Sequence, residues 1–314
     1  MASDNLPDTK NIVDGLLDEN KAFEFAHLKF FSDISKDDLN SVIQIWDQVS
    51  DQKKNNLLNG LTQLMATDTL ISCDDFSKFL LEDSDDTIKA KAIELLKECP
   101  DTKLIQIFSK YLQSKDNPIL NKAAARGLGK YVLLGELDEI STDDGRFVQD
   151  ILVQQYQNQT DDAVRMEILK SLGYSSRSAI PPFIKKALNH ENKAWSVAAL
   201  IAISRTADQK WEPVIQEKLS DPDIEIQKEA VKAAGELELS TLSEPLIDLL
   251  EEFSIDDDIY YHIIWALSQI GGNNVKELFE SLLALSEDDE FSDMIDIALE
   301  NLELSNGFSS FDLI

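Results

Sequence analysis

Apolar side chains recur three and four residues apart along most of this chain, which is the spacing of one face of an α-helix. Residues 221–253 show the unit most plainly. Asp221-Pro222-Asp223 offers a capping carboxylate and a proline in the first turn, where its missing N–H costs nothing. Ile226, Ala230, Val231, Ala233 and Ala234 then share one side of a helix, which Gly235 and the polar run 236–243 are expected to close. Pro245 opens a second helix with Leu246, Ile247, Leu249 and Leu250 turned inward. Two helices this short cannot bury both apolar faces between themselves, so the pattern demands neighbours of the same kind.

The pattern supplies them on both sides. Residues 1–20 are predicted to be a largely solvated, flexible N-terminus, with Ile12, Val13, Leu16 and Leu17 able to form a short amphipathic turn. Residues 21–82 read as an N-terminal helical cap. It begins with an aromatic cluster, Phe23, Phe25, Leu28, Phe30 and Phe31, suited to plugging the first open face of a stack. An antiparallel helix pair follows over 35–49 and 51–65, carrying Leu39, Val42, Ile43 and Trp46, then Leu57, Leu58, Leu61 and Leu64.

From residue 83 the units can be counted. The equivalent late position of each first helix falls at Leu96, Leu128, Leu172, Ile203, Ala234, Leu267 and Leu299, at steps of 32, 44, 31, 31, 33 and 32 residues. The long step places an insertion near 134–145. Second helices keep the same beat at Phe183-Ile184, Val214-Ile215, Leu246-Ile247 and Leu278-Phe279. Self-similarity sustained at this period predicts an all-α solenoid of helical hairpins over 83–304. Residues 305–314, with Phe308 and Phe311, are left as a C-terminal tail, either folded back on the last repeat or free as a docking motif.

A D-x-D before the first helix, endings such as AARGLG (124–129), ILKSLG (168–173) and WALSQIG (265–271), and a proline opening the second helix resemble the HEAT-repeat family. They are similar to its short, phycobilisome-lyase-like repeats. The segment 32–58 is similar to the front of a group of bacterial HEAT proteins. Armadillo repeats run longer, with three helices, and tetratricopeptide repeats place different signature residues. The resemblance implies a right-handed α-solenoid, a scaffold function, and a concave side lined by second helices.

Composition narrows the partner. Acidic residues outnumber basic ones 59 to 29, for a net charge of −30. Such a chain repels phosphate backbones and anionic bilayers, which argues against nucleic acid and membrane surfaces. Residues 251–314 hold sixteen acids and one base, Lys276, which is half of the net charge. A partner with a basic surface fits that end. No run approaches the ~20 apolar residues of a membrane span, and the start lacks the pattern of a secretory signal. Cys73 and Cys99 form no C-x-x-C pair, which argues against a disulfide framework or zinc site and fits a cytoplasmic protein.

Catalytic chemistry finds no constellation. His27, His190 and His262 fall in different units, although His262 is placed to pair with a nearby acid. Acids 256–258 and 287–290 sit where helices start and lack a calcium-loop pattern. Gly127, Gly129, Gly271 and Gly272 read as helix ends or close-packing sites, not phosphate cradles. No catalytic, cofactor or metal residue is assigned. The expected function is a non-catalytic interaction scaffold, with a lyase-like or enzyme-accessory protein and a self-assembling structural unit as alternatives. The candidate contacts lie on second helices: Lys185, Lys186, Gln216, Glu217, Asp248, Glu251 and Glu280, a ridge running from basic to acidic. Trp195, in a helix of small residues, and Phe308 and Phe311 are the candidate anchors, whereas Trp211 and Trp265 are spaced as packing residues.

Overall fold

The computed structural model describes residues 8–20, 25–115, 117–286 and 288–309, and of Phe25, Asn273 and residues 304–309 the backbone alone. Among these residues every regular element is helical. The chain divides into two compact units, Met1–Ile168 and Leu169–Ile314.

Unit 1 holds α1 (Thr9–Leu17), α2 (Phe25–Lys29), α3 (Lys36–Ile45), α4 (Asp51–Thr67), α5 (Asp74–Leu80), α6 (Asp86–Leu95), α7 (Lys103–Leu112), α8 (Pro118–Glu136) and α9 (Thr142–Asn158). The segment expected to be solvated is, over α1, a capped helix. Asp8 accepts a bond from the Asn11 amide at 2.8 Å, and Ile12 and Leu16, four residues apart, are fully buried. The amphipathic turn therefore extends to a whole helix that packs on α3.

Phe30 and Phe31 are buried as a plug would be. Phe31 packs on Phe76 of α5 at 4.7 Å between ring centroids, and Phe76 meets Trp46 edge-on at 5.5 Å. Phe23 lies outside the described residues. Beside the rings sits a buried polar knot. The Trp46 indole N–H donates to Asp83 at 2.7 Å, Lys54 Nζ stands 3.5 Å from the same carboxylate, and the Asp85 amide donates to it at 2.8 Å. Burial works to raise the Asp83 pKa, but these donors and the lysine charge outweigh it and hold the carboxyl below the usual aspartate value.

The extra residues expected as an insertion near 134–145 are absorbed by helix length. α8 runs 19 residues and α9 runs 17, joined by the short link 137–141. Gly135 and Gly145 permit the crossing, since a Cβ on either would stand 3.0 or 3.1 Å from the other's Cα.

The division between units falls inside α10 (Asp162–Leu172). Unit 2 continues with hairpins: α11 (Ile180–Leu188), α12 (Lys193–Ser204), α13 (Glu212–Lys218), α14 (Ile224–Glu236), α15 (Ser243–Leu250), α16 (Asp258–Ile270), α17 (Asn273–Leu285) and α18 (Asp289–Ser309). Asp223 caps α14 by accepting the Glu225 amide at 3.1 Å. Gly235 does not close that helix. It lies within it, and the left-handed residue beyond its end is Glu238, at φ 50°.

Two layers result. The first helices α12, α14, α16 and α18 pack on one another in succession, while α11, α15 and α17 pack chiefly on the following first helix of the chain. Small residues set the spacing of the first layer. A Cβ on Gly173 would stand 2.4 Å from the Ala202 carbonyl oxygen and 2.8 Å from its Cα. One on Gly235 would stand 2.9 Å from the Ala266 Cα. Because those walls are backbone, Gly173→Ala is expected to lose about 1–3 kcal/mol by overpacking. Gly15→Ala, whose new methyl meets nothing within 4 Å, should lose none. Urea unfolding of both variants checks this.

Candidate functional site

A double layer that is closer-spaced on one side bends toward that side. In unit 2 that is the first-helix layer, so the inner face belongs to α12, α14, α16 and α18. The expectation that second helices line it does not fit this packing. Lys185 and Lys186 lie on α11, Gln216 and Glu217 on α13, Asp248 on α15, Glu251 just past α15, and Glu280 on α17. All seven are exposed, but on the outer layer. The structure pairs Glu217 with Lys218 of its own helix, at 3.4 Å.

The repeat register identifies what the inner layer presents. One position carries Val197, Lys228, Tyr261 and Asp293, and the next turn carries Ile201, Lys232, Trp265 and Ile297. All eight are half or fully exposed, with Tyr261 at 42% and Ile297 at 60%. The turn nearer the helix starts carries Ala194, Glu225, Asp258 and Glu290, all exposed. Five of the eight are apolar or aromatic, interrupted by Lys228, Lys232 and Asp293, and three of the four beside them are acidic.

Ion pairs run along this face, two of them, Lys193–Asp223 and Lys228–Asp258, joining successive repeats and the others lying within α14. Lys193 meets Asp223 at 2.6 Å, and Lys228 meets Glu225 and Asp258, each at 3.0 Å. Lys232 meets Glu229 at 2.9 Å. The bond from Lys228 holds Asp258 below the usual carboxylate pKa. His262 stands 3.7 Å from Asp258, the pairing the sequence suggested. Burial and the charge of Lys232 nevertheless hold its pKa below the ordinary histidine value.

The tryptophans exchange roles. Trp195 is buried, at 2% exposure, and stacks 5.4 Å from the His190 ring. Its helix is apolar nearly all round, and such a helix is enclosed by neighbours on most sides. Trp195 therefore cannot anchor a partner. Trp265 is the half-exposed tryptophan, lying across Gly235 of the preceding first helix. The sequence predicts a packing residue here, whereas Trp265 lies four residues from Tyr261 on the same helix face. Phe308 falls where only backbone is described, which shows α18 running to Ser309, and Phe311 lies outside the described residues.

Among the described residues no group of three or more His, Cys, Asp or Glu is placed to hold a metal ion, and no helix is long and apolar enough to cross a membrane. Cys73 and Cys99 are buried and unbridged, and burial pushes the Cys73 thiol up to about 12.

A model of HEAT repeats matches residues 180–260 and 212–303, which together cover the hairpins of unit 2. No curated protein matches the chain. Among solved structures it is similar to the YibA protein of Escherichia coli at 15% identity and a TM-score of 0.44, covering 91% of this chain and 99% of that one. It is also similar to Kap95p, in a structure of that protein bound to RanGDP, at 13% identity and a TM-score of 0.46, covering 93% of this chain and 45% of that one. A third similarity is to human deoxyhypusine hydroxylase, at 13% identity and a TM-score of 0.35, covering 94% and 96%.

Proposed function

We propose that this chain, which carries HEAT repeats over residues 180–303, is a non-catalytic platform that binds a protein with a lysine- or arginine-rich surface on the first-helix face of unit 2. The observation that carries the reading is the exposed Tyr261 and half-exposed Trp265, on a face that also carries the acids Asp258, Glu290 and Asp293. Aromatic anchors concentrate binding energy, and their ring faces attract cations. The surplus of acid over 251–314 steers such a partner, with an on-rate that falls as salt rises.

The test captures partners from the native host with the purified chain and measures the affinity of each by titration at two salt concentrations. Glu290→Lys/Asp293→Lys is expected to weaken the partner at least tenfold. Asp248→Lys/Glu280→Lys, on the outer layer, leaves it unchanged. The reverse ranking would move the surface to the second helices, and a partner indifferent to both pairs and to salt would end the reading.

A further inference from the structure

The same first-helix face in unit 1 has the opposite sign. Between α6 and α8 lies a groove of about 370 Å³ whose rim carries five cations, Lys91, Lys97, Lys122, Arg126 and Lys130, against one lining acid, Glu94. In a chain of net charge −30 this is a local reversal. Its floor is apolar, built from Ala90, Ile93 and Ala123. At its lip stands Ile119, 54% exposed. Gly127 holds the helices close, because a Cβ there would meet Ile93 at 2.8 Å and Phe108 at 2.9 Å.

The cations are not all spoken for. Arg126 is fixed by Glu167 at 2.9 Å, and Lys130 reaches Glu98 at 3.7 Å. Lys91 donates to Asn59, an uncharged partner, and burial pulls its pKa below the ordinary lysine value. Lys97 and Lys122 meet no carboxylate among the described residues. Positive charge concentrated around an apolar floor is complementary to carboxylates flanking an apolar side chain.

We propose that the α6–α8 groove is a docking site for an acidic peptide segment of a partner protein, with an apolar residue of that segment seated against Ile93 and Ile119. A short peptide suits it better than a nucleic acid. A polyphosphate extending beyond the groove would meet the net negative charge of the chain, and it would leave the apolar floor unused. Each α6 turn rises about 5.4 Å, so the ten residues of α6 give a run of about 15 Å, room for four or five extended residues.

The experiment is fluorescence anisotropy on the full chain with a fluorescein-labelled decapeptide of Asp and Glu around a central Leu-Leu pair. A Gly-Gly version and a single-stranded deoxydecanucleotide serve as comparison probes. The wild-type chain is expected to bind the Leu-Leu peptide, to lose at least tenfold with Gly-Gly, and to weaken as salt rises. Lys91→Glu/Lys122→Glu should cost at least tenfold and Lys91→Gln/Lys122→Gln an intermediate amount, with circular dichroism unchanged. Lys185→Glu/Lys186→Glu should bind as wild type. No binding by the wild type, equal binding by the groove variants, or tighter binding of the oligonucleotide through the same lysines would each overturn the assignment.

Discussion

Asp83→Ala is expected to destabilise unit 1 by about 3–5 kcal/mol, the cost of removing one partner from a buried ion pair. The aspartate joins three elements, accepting from Trp46 at the end of α3, facing Lys54 of α4, and receiving the Asp85 amide at the start of α6. With the carboxylate gone, the lysine ammonium keeps only the Trp46 ring, 5.0 Å from its centroid, and the indole N–H loses its acceptor. The effect carries a pH signature. Because the folded-state pKa of Asp83 is depressed, its contribution is complete above the unfolded aspartate value of about 3.9 and is lost as pH falls through the lower folded value. Urea titrations of wild type and variant should therefore differ fully at pH 7, and the part of the gap that comes from ionisation should shrink as pH falls below about 3.9. A gap that persists undiminished at low pH would mean the residue acts by shape alone.

Trp195→Ala should cost unit 2 about 3–5 kcal/mol, the range for removing a large buried aromatic. Trp195→Phe should recover much of it, since part of the volume is refilled. Trp265→Ala, at a half-exposed position, is expected to cost clearly less stability but to weaken the partner of the first-helix face. Denaturation midpoints for the three variants, read beside partner affinity, separate packing from recognition. A Trp195→Ala protein as stable as wild type would contradict the enclosure described for α12.

Periodicity carried most of the architecture, because helix faces and repeat length are written in residue spacing. Starts were legible for a local reason: Ser35 and Asp223 cap helices through bonds made within three residues. What escaped depends on distances between helices. Which layer is tighter rests on Gly173 against Ala202 and Gly235 against Ala266, contacts that no single hairpin reveals. The choice of inner face followed the wrong layer for that reason. Trp195 was misplaced because small neighbours in sequence say little about what a third helix covers. Counting places the dozen surplus residues as an insertion near 134–145 but gives length and not conformation, and in the structure they lengthen α8 and α9, which cross at Gly135 and Gly145. The basic groove escaped because its cations come from two helices about thirty residues apart, and only packing sets them around one floor.

The glycine–alanine seams of unit 2 have a mechanical consequence. Where backbones already touch, little further compression is available, so that layer acts as an incompressible hinge line. The second helices, each packed chiefly on the following first helix, can spread or close at small cost. Under load the unit should flex like a leaf spring about its inner seam, altering its curvature while the spacing of Tyr261, Trp265 and their neighbours stays nearly constant. A partner that straightens the repeats would then keep its grip on that face throughout the stroke.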